Sequence, residues 1–252
     1  MKPKYRNTSG IIFRLFNSKD ADKVIHVLTE NGAKLAAAVP GVKRSTSRKA
    51  HAIDLLNTVS LKLTSGKNLD TVTEAHLLSN HASFKENYAG LLFTQLICEI
   101  LSIFLQEEQE EPAYYRNLSN LLEVNQPHKY LLLVSGLILR LLQINGILPK
   151  LSEDIFGGAE IEPGIQRYPT DDIGYTTRPE AARGDGISDR LYKTQRFILQ
   201  HDFSQINRIN LTFDEQLTLF DLHLKWVEQA VDVQLKTAVM FRQAVQNETN
   251  ET

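Results

Sequence analysis

Apolar and polar positions alternate over short runs in the first eighty or so residues, and from there onward apolar positions recur at helical spacing. Gly10-Ile-Ile-Phe-Arg-Leu-Phe, Lys23-Val-Ile-His-Val-Leu-Thr and Ala33-Lys-Leu-Ala-Ala-Ala-Val are rich in apolar and β-branched residues. Each run ends at turn formers: residues 17–20, Asn31-Gly32 and Pro40-Gly41. Asn31-Gly32 is the favoured dipeptide of a two-residue hairpin in which both positions take positive φ. Two more strands are predicted near 53–63 and 70–78, joined by a turn at 65–68. Five strands of this length suit an OB barrel. An SH3-like barrel fits the periodicity almost as well.

Beyond Ser79, Ser83-Phe-Lys-Glu86 matches a capping box. Residues 88–106 then place Leu91, Leu92, Leu96, Ile97, Ile100, Leu101 and Phe104 on one stripe that needs a partner. Helices are also predicted at 113–124 and 128–145, the second so apolar that it should be the most buried member of a bundle. Others are predicted at 191–201 and after Thr212-Phe-Asp-Glu215, a second capping box, from which Leu217, Phe220, Leu224, Val227 and Val231 should face the core. Residues 157–186 hold six of the thirteen glycines and three prolines with no apolar period, which predicts an irregular insert at about 155–190. The polar tail from Gln246 should fray. The expected class is α+β and multi-domain, with a five-stranded barrel over 1–80 and an α-helical bundle domain over 81–252.

Composition then narrows the setting. The basic start is not followed by the apolar run of a signal peptide. The oily run 131–139 is cut by Arg140, short of a membrane span. One cysteine, Cys98, allows no internal disulfide and fits a reducing cytoplasm. The net charge of −2 conceals a split: residues 1–78 carry thirteen Lys/Arg against six Asp/Glu, a balance of +7, so the remainder carries −9. A basic module for a polyanion, joined to an acidic body, is the functional reading of that split; two solvated surfaces are the plain one.

Candidate chemistry is sparse. There is no Gly-rich phosphate loop, no His-Glu-x-x-His and no Gly-x-Ser-x-Gly elbow. Cys98 sits in the apolar stripe, His76 and His81 lack a third ligand nearby, and Asp171-Asp172 reads as a solvated pair. Neither an enzyme nor a cofactor or metal site is expected. The strongest local signal is Gly41-Val-Lys-Arg-Ser-Thr-Ser-Arg-Lys49, four cations and three hydroxyls between two strands. That mixture holds phosphodiester oxygens without reading bases.

In their order, these segments are similar to a known family. Gly10-Ile-Ile-Phe-Arg-Leu-Phe, then residues 20–35, then Val39-Pro-Gly-Val-Lys-Arg-Ser-Thr-Ser-Arg resemble the start of bacterial RecO. Residues 55–64 and Thr73-Glu-Ala-His-Leu resemble the family's last two barrel strands. Leu139-Arg-Leu-Leu-Gln-Ile-Asn-Gly-Ile-Leu-Pro resembles its helix ending in Gly-x-x-Pro, and Leu235-Lys-Thr-Ala-Val-Met-Phe its closing segment. Many members carry a four-cysteine zinc module after that helix; here the position reads Ser152-Glu-Asp-Ile-Phe-Gly-Gly158, so a zinc-free, divergent member is expected.

The resemblance implies an OB-fold barrel and a recombination mediator of the RecFOR pathway that makes no covalent bond. It would bind ssDNA and dsDNA, anneal complementary strands, contact RecR and the single-strand binding protein (SSB), and help RecA load. The expected DNA-binding residues are Lys43, Arg44, Ser45, Ser47, Arg48 and Lys49 of the loop, with Arg14 and Lys34. The acidic, aromatic-ended SSB tail would meet the helical body, where Arg116, Lys129 and Arg140 are the candidate cations. Two other readings remain open on residues alone: a generic OB-fold binder of RNA or ssDNA, and a helical protein-interaction scaffold.

Overall fold

The computed structural model describes residues 5–18, 23–66, 69–107, 109–124, 126–182 and 184–250, apart from the side chains at 127, 207, 249 and 250. The expected turn positions 19–20 and 67–68 lie outside the described residues. The chain divides into two compact units, 1–119 and 120–252, and passes between them within one helix.

In the first unit, five strands close a barrel: β1 (Tyr5–Asn17), β2 (Lys23–Thr29), β3 (Lys34–Val39), β4 (Thr58–Thr64) and β5 (Asp70–Ser79), in the order β1-β2-β3-β5-β4. β1 is long enough to pair with both β2 and β4, and β3 meets β5 in parallel. This is the OB topology, and it removes the SH3-like alternative. Strict alternation makes the core: in β4, Val59, Leu61 and Leu63 point inward while Thr58, Ser60, Lys62 and Thr64 point out. The inward set joins Ile12, Ile25, Val27, Ala37, Val39 and Val72 in one apolar cluster.

The hairpin after β2 differs from the expected turn. The Gly32 N–H donates to the Thr29 carbonyl at 2.8 Å and the Thr29 N–H to the Ala33 carbonyl at 3.0 Å, a three-residue loop in which Gly32 alone takes positive φ, +83°. Glycine is required there twice over, because a Cβ would lie 1.9 Å from the Glu111 carbonyl oxygen. The Ser83–Glu86 segment also does not start the long helix as expected. Residues Ala82–Lys85 make a 3-10 turn, and Asn87 caps α1 (Tyr88–Phe104), its side chain accepting from the Gly90 N–H at 2.7 Å.

Of the predicted stripe on α1 only Leu91 is exposed. Phe93 stacks on Phe84 at 5.0 Å between centroids, and α1 packs on β1. The barrel ends at Ser79, but this packing carries the compact unit on through α1 into α2 (Pro112–Leu122).

The second unit is built on α3 (Tyr130–Ile144), buried along nearly its whole length as its composition predicts. Against it pack α4 (Asp189–Gln200) and α5 (Phe213–Val231), and α6 (Lys236–Asn250) follows. The Thr212–Glu215 capping box at the start of α5 is formed in both directions. The C-terminal stretch from Gln246 stays helical to Asn250 instead of fraying at once.

The insert contains a two-stranded ribbon, β6 (Tyr168–Pro169) and β7 (Tyr175–Thr176), and is tied down by buried polar groups. Asp154 accepts from the Thr176 hydroxyl at 2.9 Å and from the N–H groups of Thr177 and Phe156 at 2.8 and 3.0 Å. Burial by itself would raise its pKa, but these bonds and the Thr177 hydroxyl outweigh it and hold the carboxyl at about 2. Arg167, also buried, lies 3.8 Å from the Tyr192 ring centroid and donates to the Ile161 and Ile165 carbonyls.

A buried chain of hydrogen bonds crosses the unit. Tyr175 OH and His223 Nε2 both meet the side-chain amide of Gln195, and His223 Nδ1 meets the Ser135 hydroxyl. His223 is fully buried, and burial, against an opposing pull from Ser135, lowers its pKa to about 3, so the ring is neutral. Ser135 and His223 have the pairing of a nucleophile and its base, but with both at 0% exposure no substrate reaches them. Among the described residues no helix is long and apolar enough to cross a membrane.

Candidate nucleic-acid interface

Residues 40–49 fold as successive tight turns. Backbone bonds run from Arg44 N to Gly41 O, Ser47 N to Arg44 O and Ala52 N to Lys49 O, closing into the 3-10 turn Ala50–Ala52. Val42, Ala52 and Ile53 are plugs in the barrel core, so the loop is anchored at both ends. Between the plugs Lys43, Arg44, Ser45, Thr46 and Arg48 are exposed and Ser47 is half-buried. Lys49 is turned back onto the barrel, where its Nζ donates to the Val72 carbonyl on β5 at 3.0 Å and pins the loop in place.

The register places the other two predicted cations. Arg14 pairs with His26, and His26 with Ala36, so these three share the outer face of β1-β2-β3, and Lys34 lies two residues from Ala36 on the same face. Val39 pairs with Lys23, and Lys23 with Asn17, so the chain leaves β3 at the Phe16 end of that face. The face therefore leads from Lys34 past Arg14 and His26 to Phe16 and on to the loop.

Phe16 and His26 are residues that the sequence reading missed. Phe16 is 37% exposed, its ring packs edge-on to His26 at 5.2 Å, and the Arg14 guanidinium sits 4.5 Å from its centroid. The available signal was the alternation Arg14-Leu15-Phe16, which puts cation and ring on the same side of a strand whose leucine points inward. An exposed ring beside cations is the arrangement on which unpaired bases stack.

The rest of the barrel surface is electrostatically different. On β1, β4 and β5, Arg6 pairs with Asp70, and Lys62 with Glu74 at 2.8 Å. Among the described residues Arg14, Lys34, Lys43, Arg44 and Arg48 enter no ion pair. Among the described residues, cations outside ion pairs are thus gathered on one face and its loop. Burial, then Lys34 and Arg14, hold His26 below the usual histidine range against a weaker pull from Glu107. Adding an oligonucleotide should therefore raise the His26 pKa, because phosphates neutralise the cations that depress it. An NMR titration of the ring measures this, and an unchanged pKa on saturation would place the DNA elsewhere.

The three cations proposed for a partner on the helical body have different roles. Arg116 is exposed on α2. Lys129 is buried, its Nζ donating to the Ile206 carbonyl at 3.2 Å, and burial lowers its pKa. Arg140 donates to the Ile198 and His201 carbonyls at the end of α4 and lies 5.0 Å from the Phe203 centroid. Lys129 and Arg140 are turned inward as structural ties, not outward to a groove rim.

A four-thiolate zinc site does not fit the segment after Pro149. The one cysteine is buried in α1, its thiol pKa pushed up by that burial, and the Asp154 hydrogen-bond knot stands in the segment itself. Among the described residues no cluster of three His, Cys, Asp or Glu is placed to hold a metal ion.

Comparison with known proteins agrees with this architecture. Residues 1–81 match the family model described as recombination protein O N terminal, and residues 85–238 match recombination protein O C terminal. The DNA repair protein RecO of Symbiobacterium thermophilum is 30% identical over 218 residues, covering 82% of this chain and 84% of that one. Its namesake from Dehalococcoides mccartyi is 24% identical over 214 residues, covering 83% and 84%. That of Listeria welshimeri is 20% identical over 230 residues, covering 88% and 85%. With both halves of the chain matched in order and the barrel closed in the OB topology, the chain belongs to the RecO family of DNA repair proteins.

Proposed function

We propose that this protein is a non-enzymatic recombination mediator that binds ssDNA and dsDNA along the outer face of β1-β2-β3 and the loop 40–49. The observation that carries the reading is the segregation of charge among the described residues: cations outside any ion pair, with an exposed ring, gather on one barrel face and its loop, while Arg6 and Lys62 elsewhere on the barrel are neutralised by Asp70 and Glu74. Annealing follows from that chemistry. Lys43, Arg44 and Arg48 screen two phosphate backbones without base-specific contacts, leaving the base edges free to pair. No step forms or breaks a covalent bond. In the cytoplasm, on the nucleoid, the protein would act with RecR on SSB-coated ssDNA to help RecA load.

The SSB tail needs an apolar slot for its terminal ring and a cation for its carboxylate. In the helical unit a groove of about 530 Å³ offers Phe197, Ile209 and Leu211 beside Arg208. Among the described residues Arg208 enters no ion pair, whereas Lys193 nearby is held by Asp189 at 2.6 Å. Arg208 thus takes the place first assigned to Lys129 and Arg140.

The deciding experiment is annealing of complementary strands coated with cognate SSB, with an RNA competitor. The full chain should accelerate annealing, and Phe16→Ala should slow it by about tenfold, the scale of one lost stacking contact. RNA competing as well as ssDNA would favour the generic OB-fold binder, and no acceleration at all would refute the mediator.

A further inference from the structure

The helical unit contains a second, larger groove of about 960 Å³, between the insert and the last turns of α5. Its rim is acidic. Asp171, Asp185 and Asp232 are exposed there, with Lys225 the one cation among the described lining residues. Two further carboxylates of the lining are internally engaged: Asp221 with Arg242 at 3.0 Å, and Glu228 with the Leu235 N–H at 2.9 Å. Among the described residues neither Asp185 nor Asp232 enters an ion pair.

The floor is apolar, with Leu222 and Trp226, and Val233 is 46% exposed at its edge. Trp226 ties this floor to the buried interior, its ring packing against Tyr175 and His223. Its ring is 1% exposed, and its Nε1–H has no acceptor among the described residues. A buried donor without an acceptor is uncommon in folded proteins.

We propose that this groove binds a basic peptide segment of a partner protein, in extended form, with an apolar side chain on the Leu222–Trp226 floor. Lysine or arginine side chains of the segment meet Asp185 and Asp232, and its apolar side chain covers Leu222 and the edge of Trp226. DNA is excluded by like charge, and so is the acidic SSB tail, which makes this surface distinct from both sites above. The helical unit then offers two grooves of opposite sign, so that two partners of opposite charge do not compete.

Trp226 is the one tryptophan in the chain, so its fluorescence reports the groove directly in the full-length protein. The probe is a short end-blocked peptide alternating lysine with leucine. It should change the emission saturably, bind more weakly as salt rises, and lose about tenfold or more in affinity to the D185N/D232N double variant. Asparagine tolerates the left-handed backbone at position 232, where φ is +50°, so the variant keeps the fold. A lysine–serine peptide should bind more weakly, and an aspartate–leucine peptide should leave the emission unchanged.

Equal binding of the acidic peptide, or unchanged affinity in the double variant, overturns the proposal. So does an emission change on concentrating the protein alone that disappears when Lys43, Arg44 and Arg48 are replaced, because the occupant is then the loop of a second copy. Oligonucleotide binding should persist in D185N/D232N, and peptide binding should persist in the loop variant. Failure here is therefore distinguishable from failure of the DNA assignment.

Discussion

Replacing Lys43, Arg44 and Arg48 together with alanine should flatten the salt dependence of oligonucleotide binding by roughly 2 units of log K against log salt, since each lost phosphate contact removes about 0.7–0.9. At low salt the same variant should bind about a hundredfold more weakly, with little change in preference among sequences, because phosphate contacts carry no base information. Two controls separate contact from scaffold. Lys49→Ala removes the tie to the Val72 carbonyl, so its main effect should be a looser loop, seen as faster amide exchange at 43–49, with a smaller change in slope. Arg6 and Lys62 are already neutralised by Asp70 and Glu74, so replacing both should leave the slope nearly intact. A triple variant with the parent's slope would remove the loop from the DNA site.

The second large effect is on the stability of the helical unit. Gln195→Ala leaves Tyr175 OH and His223 Nε2 buried without their shared partner, which should cost about 3–5 kcal/mol in urea unfolding. The same network makes the unit acid-labile, with a definite sign. His223 has a folded pKa of about 3, below the 6.5 of the unfolded chain. At pH above 6.5 both states are neutral and the stabilisation is complete. As pH falls below 6.5 the unfolded state takes up a proton that the folded state refuses until about pH 3, and stability drops by about 1.4 kcal/mol per pH unit across that window. Asp154 adds its own loss lower down, between its ordinary range and about pH 2. His223→Gln, which keeps a neutral polar group in place, should remove one proton from the slope between pH 6 and 4. An unchanged slope in that variant would show that His223 is not the group responsible.

Much of the barrel and the helical frame could be read along the chain, because both depend on local periodicity. The alternation in β4 assigned a face to every residue before any partner was known, and the unbroken apolar run of α3 required a buried helix. The Thr212–Glu215 box was legible because both of its bonds lie within one turn. The basic loop was legible too, as a density of cations between strands. Local signals misled where a tertiary contact outranked them. Gly32 follows an asparagine in the best hairpin dipeptide, but the loop closes on three residues, and the glycine is required because the Glu111 backbone crosses against it.

The candidate site shows the same division. That Lys43, Arg44, Arg48 and Lys49 are cations is a property of the sequence; that three of them face solvent while the fourth grips Val72 is a property of the closed barrel. Arg14, Phe16, His26 and Lys34 lie on three strands, and strand register alone makes them neighbours. Arg140 read as a candidate cation for the SSB tail, yet its guanidinium donates to carbonyls at the end of α4, a helix distant in sequence.

The insert shows the boundary most clearly. Its glycines and prolines correctly announced irregular backbone, but Asp154, Arg167, Tyr175 and Gln195 are single polar residues with no periodic signature. Sequence by itself determined which segments alternate, which wind and where charge collects, since those depend on neighbours a few positions apart. Only the tertiary structure decided which polar groups are buried and with whom, because the free energy of a buried hydrogen bond or ion pair depends on partners 20 to 88 residues away and on the water they exclude.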